Sequence, residues 1–476
     1  MPGPVGKTNA KQDLTSGSLV GNLARLAVPL SATMGVRMVY NLVDTFWLGR
    51  YSKQALAAPG ACFPFIFIVI AFGFGFGQAG SALVAQHTGA DRDMTARRCA
   101  GQTLLLLVGF SVLFALPLIA FAPYLLRLAQ VPPAVLPGAT GFLRIFLAGL
   151  PLMALSIGYG SVLRALGNTA IVLVIGIVTN AINVVIDPLL IFGWWGFPEW
   201  GVRGAAVATV SARLVNAAIC LYGLNRGWAG LRLKLSDFKP DWPLMRKTIS
   251  VGLPAAIGNS SNSVGIAVFQ AMVNSLGTTV MGAVIIGFRI IQLFNVPAMA
   301  MSWAAAPVVG QALGAGKKRL ARRAVRLSVV LVAAVLLLPV IALTIWGKYV
   351  AFAFTDDPAV IEQAAIFFRV VPASMYCFSV LLVLLAAYYG SGHTRPAMVI
   401  HIVRLWVLRL PVSYLLAFTV GMGSIGIYLG MVFGNVITAV ITFVLYRSGG
   451  WETAVVEDEE DGVVRGADEE TSTAET

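Results

Sequence analysis

The stretches "AQHTGADRDMTARRC" (residues 85–99) and "GQALGAGKKRLARRA" (residues 310–324) decide the fold, because they are two copies of one loop. They align without a gap at an offset of 225 residues. Gln86 pairs with Gln311, Gly89 with Gly314 and Ala90 with Ala315. The triplet Ala96-Arg97-Arg98 pairs with Ala321-Arg322-Arg323. The same offset sets Pro29 against Pro254 and "GNT" (167–169) against "GHT" (392–394). Single matches arise by chance at this composition; the cluster of identities in the loops carries the signal. The chain is an internal duplication, and each copy of the loop lies between long apolar runs.

Those runs set the class. The chain has 476 residues, 58% hydrophobic and 12% charged, where a soluble protein is about a quarter charged. Mean hydropathy is +0.82. Apolar stretches of 20 or more residues recur, each long enough to cross roughly 30 Å of hydrocarbon. Twelve spans are predicted, six in residues 22–225 and six in residues 243–447, joined by a linker at 226–242. The expected fold is an all-α polytopic membrane protein, its twelve transmembrane helices forming two pseudo-symmetric six-helix halves. An even number of spans per repeat keeps the halves parallel, related by an axis along the membrane normal.

Charge gives the orientation. Odd-numbered connections are poor in Lys and Arg, whereas even-numbered ones are rich, as in "GADRDMTARRC", "NRGWAGLRLKLSDFKPDWPLMRK" and "GAGKKRLARRA". Positively charged loops stay in the cytoplasm. A polar N-terminus (1–21) and a C-terminal tail (448–476) are therefore both expected to be cytoplasmic, in a cell-membrane protein. The formal charge of +13 conceals an acidic end: residues 451–476 carry ten Asp and Glu against Arg465 alone. Such a composition reads as a disordered, solvated tail. The basic run "KKRLARR" (317–323) reads as topogenic, so no nucleic-acid partner is expected. Residues 1–18 do not read as a signal peptide, because polar residues occupy the place of its apolar core.

Four dispersed cysteines and His87, His393 and His401 offer no metal-ligand spacing, and no cofactor is expected. "FGFGFGQAG" (72–80) lies inside a span with no strand before it, and reads as small residues for close helix packing rather than a nucleotide loop.

Two acids lie well inside apolar runs. Asp44 stands in "YNLVDTFWLG" (40–49) and Asp187 in "TNAINVVIDPLLIF" (179–192). An aspartate at a helix centre costs about 2.5–3.5 kcal/mol to insert. Asn180, Asn183 and Asp187 form one polar stripe on span 5, and Tyr40, Asn41 and Asp44 its counterpart on span 1. With cytoplasmic termini both aspartates fall at similar depth, which suggests a shared aqueous cavity. The competing reading is interfacial, since Trp47 and Trp194-Trp195 follow the acids as an aromatic belt would. Pro188 favours a bend in span 5. Arg37 lies seven residues before Asp44, on nearly the same face and about 10 Å away; a field favouring the ionised acid is expected there rather than a direct ion pair. Across the repeat Asp44 maps to Phe269 and Asp187 to Val412, so the second half lacks both acids.

On these residues the chain resembles the MATE (multidrug and toxic compound extrusion) transporters, in their DinF-like prokaryotic branch. The likeness runs over about residues 20–447. It is carried by the two parallel halves, "YNLVDTFWLG", the basic loop after span 2 and "NVVIDPLLIF". The resemblance implies a secondary antiporter, not an enzyme, exporting organic cations or other amphipathic compounds in exchange for H+ or Na+. It implies coupling through Asp44 and Asp187, with Tyr40, Asn183 and Thr209 around them. Asp44, Asp187, Asn183 and Thr209 would be the oxygen ligands if the ion is Na+. A monomer is expected.

Two departures stand out. Family members with a coupling acid in span 7 would carry it within "GLPAAIGNSSNSVGIAV"; here Asn259, Ser260 and Asn262 stand instead, which favours coupling in the N-half. Arg37 occupies a place where an uncharged polar residue is expected. The alternatives are a lipid-linked precursor flippase of the wider superfamily and, remotely, an intramembrane aspartyl protease. Twelve spans and N-half acids argue against the first, and "NVVIDP" lacks the GxGD-type motif of the second.

Overall fold

The structure, a computed structural model, describes residues 12–456. The outermost parts of both expected terminal segments, residues 1–11 and 457–476, lie outside the described residues. Among the described residues every regular element is helical. The first half comprises α1 (Leu19–Tyr51), α2 (Lys53–Gly89), α3 (Asp93–Leu128), α4 (Leu136–Ala148), α5 (Leu150–Ala165), α6 (Thr169–Phe192) and α7 (Val202–Arg226). The second comprises α8 (Trp242–Asn274), α9 (Thr278–Gly314), α10 (Lys318–Phe352), α11 (Pro358–Ser391), α12 (Thr394–Ile402), α13 (Leu410–Tyr414) and α14 (Ser424–Arg447). Between α12 and α13 runs a π-helical segment, Val403–Arg409, and a second, Leu415–Thr419, follows α13.

Ten helices among these are long and apolar enough to cross a membrane, the rod from Thr394 to Thr419 counting as one. The fourth predicted span is broken: α4 and α5 meet at 47°. Gly149 separates them and Pro151 follows at the start of α5, where a missing N–H is harmless. The seventh span is α8, long enough to cross but made polar by "GNSSNS" (258–263). Together these are the twelve predicted spans. Prolines sit inside α1, α2, α3, α6, α8, α9, α10 and α11. Pro188 does not break α6, which runs unbroken to Phe192.

The duplication is visible in local structure. Gly167 (φ 79°) and Gly392 (φ 82°), the paired glycines of "GNT" and "GHT", both adopt the left-handed conformation that closes α5 and α11. Only glycine takes it without strain.

By packing, the described chain divides into two compact units: one holds residues 28–80 and 97–264, the other residues 13–27, 81–96 and 265–456. The expected linker thus belongs inside the first unit. Asp237 is buried there, paired with Arg97 at 3.3 Å, and its carbonyl accepts from Gln102 Nε2 at 3.1 Å. The core of the first unit gathers Ile66, Phe142, Leu143 and Ile191, with Phe76 against Leu107 and Ala256 beside it. That of the second gathers Phe269, Phe367, Phe368, Tyr428 and Met431.

In the second unit the repeated loops meet. A Cβ on Gly89 would collide with the carbonyl of Gln311, and one on Gly314 with that of Gln86. Each glycine therefore lets its helix end press onto the backbone of its mate's neighbour. Both glutamines also receive segments outside the first and last helices. Gln311 Oε1 accepts from the Leu14 amide at 3.0 Å, and Gln86 Oε1 accepts from that of Val456 at 3.4 Å. The chain from residue 448 to 456 is accordingly not the disordered tail that composition suggests. Trp451 is fully buried, stacks on Tyr446 at 5.3 Å and donates to its carbonyl at 3.0 Å. Glu452 pairs with Arg322. The acidic composition belongs mainly to residues beyond 456; the proximal part carries an indole large enough to anchor it.

Candidate functional site: a polar cavity in the first unit

The first unit holds an open cavity of about 230 Å³ between α1, α2, α5, α6 and α7. α1 contributes Arg37 and Tyr40, α6 contributes Asn180 and Asn183, and α7 contributes Thr209 and Arg213. The i, i+3 spacing on α6 turns both asparagines to one face, as the stripe predicts. Asn41 is exposed and takes no part in the wall: one residue on from Tyr40, it is turned about 100° around the helix.

Neither aspartate lines the cavity itself. Asp187 is fully buried, and Asn183 bridges it to the wall, donating from Nδ2 to Asp187 Oδ1 at 3.3 Å. Asp44 is half-buried, and its Oδ1 is shielded from solvent with no hydrogen-bond donor among the described residues. The two carboxylates lie within electrostatic range of one another. Beyond them the ends of α1 and α6 are closed by aromatic rings: Trp47 meets Phe192 at 6.0 Å and Trp194 at 5.8 Å. Along α1 and α6 the aromatic rings thus follow the polar stripe toward the helix C-termini.

Tyr40 divides the site. Its hydroxyl lies 3.4 Å from Thr209 Oγ1, and it is in electrostatic range of Asp44 and Asp187 as well as Arg213. Arg37 is one turn before Tyr40 on α1, and Arg213 one turn past Thr209 on α7. The acids therefore stand on one side of the Tyr40–Thr209 pair and the arginines on the other. No ion pair joins Arg37 to Asp44 among the described residues, as the direction of helical side chains predicts.

Sequence reasoning missed Arg213 and the network beside it, in which Ser156 Oγ donates to Asn216 Oδ1 at 2.6 Å and Asn216 Nδ2 donates to Thr179 Oγ1 at 2.9 Å. The signal for Arg213 was present: a guanidinium deep in an apolar run costs as much as an aspartate. In the second unit Phe269, the repeat mate of Asp44, is fully buried with the Arg409 guanidinium 3.9 Å above its ring. Arg404 and Arg409 are likewise buried arginines that the sequence reading passed over. No cluster of three His, Cys, Asp or Glu that would hold a metal ion occurs among the described residues.

Comparison with known proteins bears on this architecture. The MatE family model matches twice, at residues 29–189 and 254–415, the two matches beginning at the paired Pro29 and Pro254. A probable multidrug resistance protein NorM of Thermotoga maritima is 26% identical, over 91% of this chain and 93% of its own length. An FAD transporter of Shewanella oneidensis is also 26% identical, over 85% of this chain and 89% of its own. Among solved structures, the outward-facing conformation of a multidrug resistance MATE family transporter superposes with a TM-score of 0.85 at 24% identity, covering 93% of this chain and 98% of that one. That likeness establishes the fold.

Proposed function

The chain belongs to the MatE family, and from that premise we propose that it is a secondary antiporter exporting amphipathic organic compounds across the cell membrane. A cation entering at Asp44 and Asp187 drives the export. The observation that carries this reading is the pair of carboxylates in electrostatic range of one another, shielded within membrane-spanning helices and linked through Asn183 and Tyr40 to a polar cavity. Carboxylates at such a site gain and lose an ion without large rearrangement, and their hydrogen bonds differ between the two states. The coupling ion in this proposal is H+. The Na+ reading draws on the oxygens of Asp44, Asp187, Asn183 and Thr209, hard ligands of the right kind.

Alternating access follows from the duplicated architecture of such transporters, in which one repeat rocks against the other. The site lies within one chain, so a monomer suffices. In this reading both termini lie in the cytoplasm, which the bias of Lys and Arg toward the even-numbered loops supports. The relatives named for multidrug resistance and for FAD transport support organic cargo of varied size.

Dye efflux from proteoliposomes under separately imposed pH and Na+ gradients tests the proposal. The expected result is efflux driven by the pH gradient alone, reduced to background in Asp44→Asn and in Asp187→Asn. Efflux driven by Na+ alone would transfer the assignment to Na+. Efflux by Asp44→Asn at the wild-type rate would show that the acid is merely interfacial.

A further inference from the structure

We propose that the cavity of the first unit receives the anionic head of its cargo, a carboxylate or phosphate, between Arg37 and Arg213. The proposal deepens the export function above, and depends on it only in calling the ligand a cargo.

Three observations support the site. Both guanidiniums face one cavity of about 230 Å³, whose wall carries no aspartate or glutamate. They lie within electrostatic range of one another, so two like charges are held together inside the membrane span. Neither forms a hydrogen bond or an ion pair among the described residues, and Arg213 Nε is shielded from solvent without an acceptor. The Phe146 ring lies against Arg213, 5.4 Å from its guanidinium carbon.

Arg37 is exposed and Arg213 half-buried on the wall; a guanidinium within a membrane-spanning helix costs up to about 2.5–3.5 kcal/mol to insert, and the two like charges repel. No carboxylate on the wall offsets this, and Tyr40 is the polar neighbour in electrostatic range of both. Ser156, Asn216 and Thr179 satisfy one another, and Thr33 donates to the carbonyl of Pro29 at 2.8 Å. Both arginines keep their donors turned to the cavity, and guanidinium forks match carboxylate and phosphate oxygens. An organic cation placed here would meet both charges directly. Asp44 and Asp187 stand across the Tyr40–Thr209 pair, where they are available to the coupling ion. The apolar wall of Phe74, Ile157, Leu163 and Val172 suits the body of an amphipathic acid.

A matched pair of dyes tests the proposal without any gradient. Rhodamine B carries a free carboxylate, and its ethyl ester is the same chromophore without one. Fluorescence anisotropy with the full-length protein in detergent should show rhodamine B binding about tenfold or more tighter than the ester, the worth of one charge-assisted hydrogen bond. Arg37→Gln and Arg213→Gln should each lower that ratio towards one, while Arg213→Lys retains part of it and Arg127→Gln, at the end of α3, leaves it unchanged. The ratio is read within each variant, so a partly folded sample does not distort it; if a variant does not fold, the wild-type ratio decides alone. Equal binding of acid and ester by wild type, or an unchanged ratio in both glutamine variants, overturns the proposal. Displacement of rhodamine B by phosphatidylglycerol but not by phosphatidylcholine would identify a lipid head as the anion, and no displacement by either a soluble organic acid. Loss of gradient-driven efflux with the dye ratio intact would instead count against the antiport reading.

Discussion

Asn183 touches both parts of the site, lining the cavity and donating to Asp187 at 3.3 Å. A hydrogen bond to a charged group contributes about 1.5–3 kcal/mol, and about 1.4 kcal/mol corresponds to one pH unit. Asn183→Ala is therefore expected to move the efflux–pH profile by about one unit or more. The amides of α8 face no coupling acid in this reading, so the Asn259→Ala/Asn262→Ala double variant should alter apparent affinity at most. Profiles in liposomes at fixed salt check this; equal shifts in both variants would overturn the assignment of coupling to the first half. At this scale the sequence shows Asp44 and Asp187 because an acid in an apolar run is conspicuous. It hides Arg213, whose long side chain would in most helices reach water at a membrane face. Only the arrangement of α1 and α7 shows that Arg213 turns into the cavity beside Arg37.

At the scale of elements, the crossing of the repeated loops makes an opposed prediction for one substitution. Alanine in a helix is favoured over glycine by up to about 1 kcal/mol. Gly109 on α3 has nothing within 4 Å of where a Cβ would stand, so Gly109→Ala should leave the melting temperature unchanged or raise it. At Gly89 and Gly314 the added carbon meets the carbonyls of Gln311 and Gln86, which are backbone and yield little. Overpacking of this kind costs roughly 1–3 kcal/mol, so Gly89→Ala and Gly314→Ala should each lower it. Thermal unfolding in detergent measures all three, and a rise at Gly89 would show that the crossing is loose. The pairing of these residues was legible in sequence, because the same contact made twice leaves the same residues twice. The break between α4 and α5 was not: an apolar run continues through "LAGLPLMA" (147–154), and hydropathy does not register a change of direction.

For the whole molecule, twelve spans, the duplication and the membrane class follow from hydropathy and one repeated loop, since lipid permits few solutions. The termini do not follow, because composition averages a docked segment together with whatever succeeds it. Residues 448–456 hold only one of the ten terminal acids, Glu452; Trp451 is fully buried and Val456 reaches Gln86, the glutamine whose own side chain donates to Gly390 at 2.9 Å. Val455 packs over Gly392, the left-handed residue that ends α11. The segment thus ties α2, α10, α11 and α14 together at one end of the second unit. Two truncations separate its roles. Ending the chain after residue 456 removes nine of the ten terminal acids and none of these contacts, so efflux and melting temperature should both be unchanged. Ending it after residue 448 removes the indole, whose burial is worth about 3–5 kcal/mol by comparison with other large buried side chains. That protein should melt several degrees lower and be cut more readily by protease near Gly392. If the shorter chain keeps wild-type stability, the segment merely rests on the helix ends; if the longer chain loses efflux while reaching the membrane normally, the acidic residues beyond 456 take part in transport.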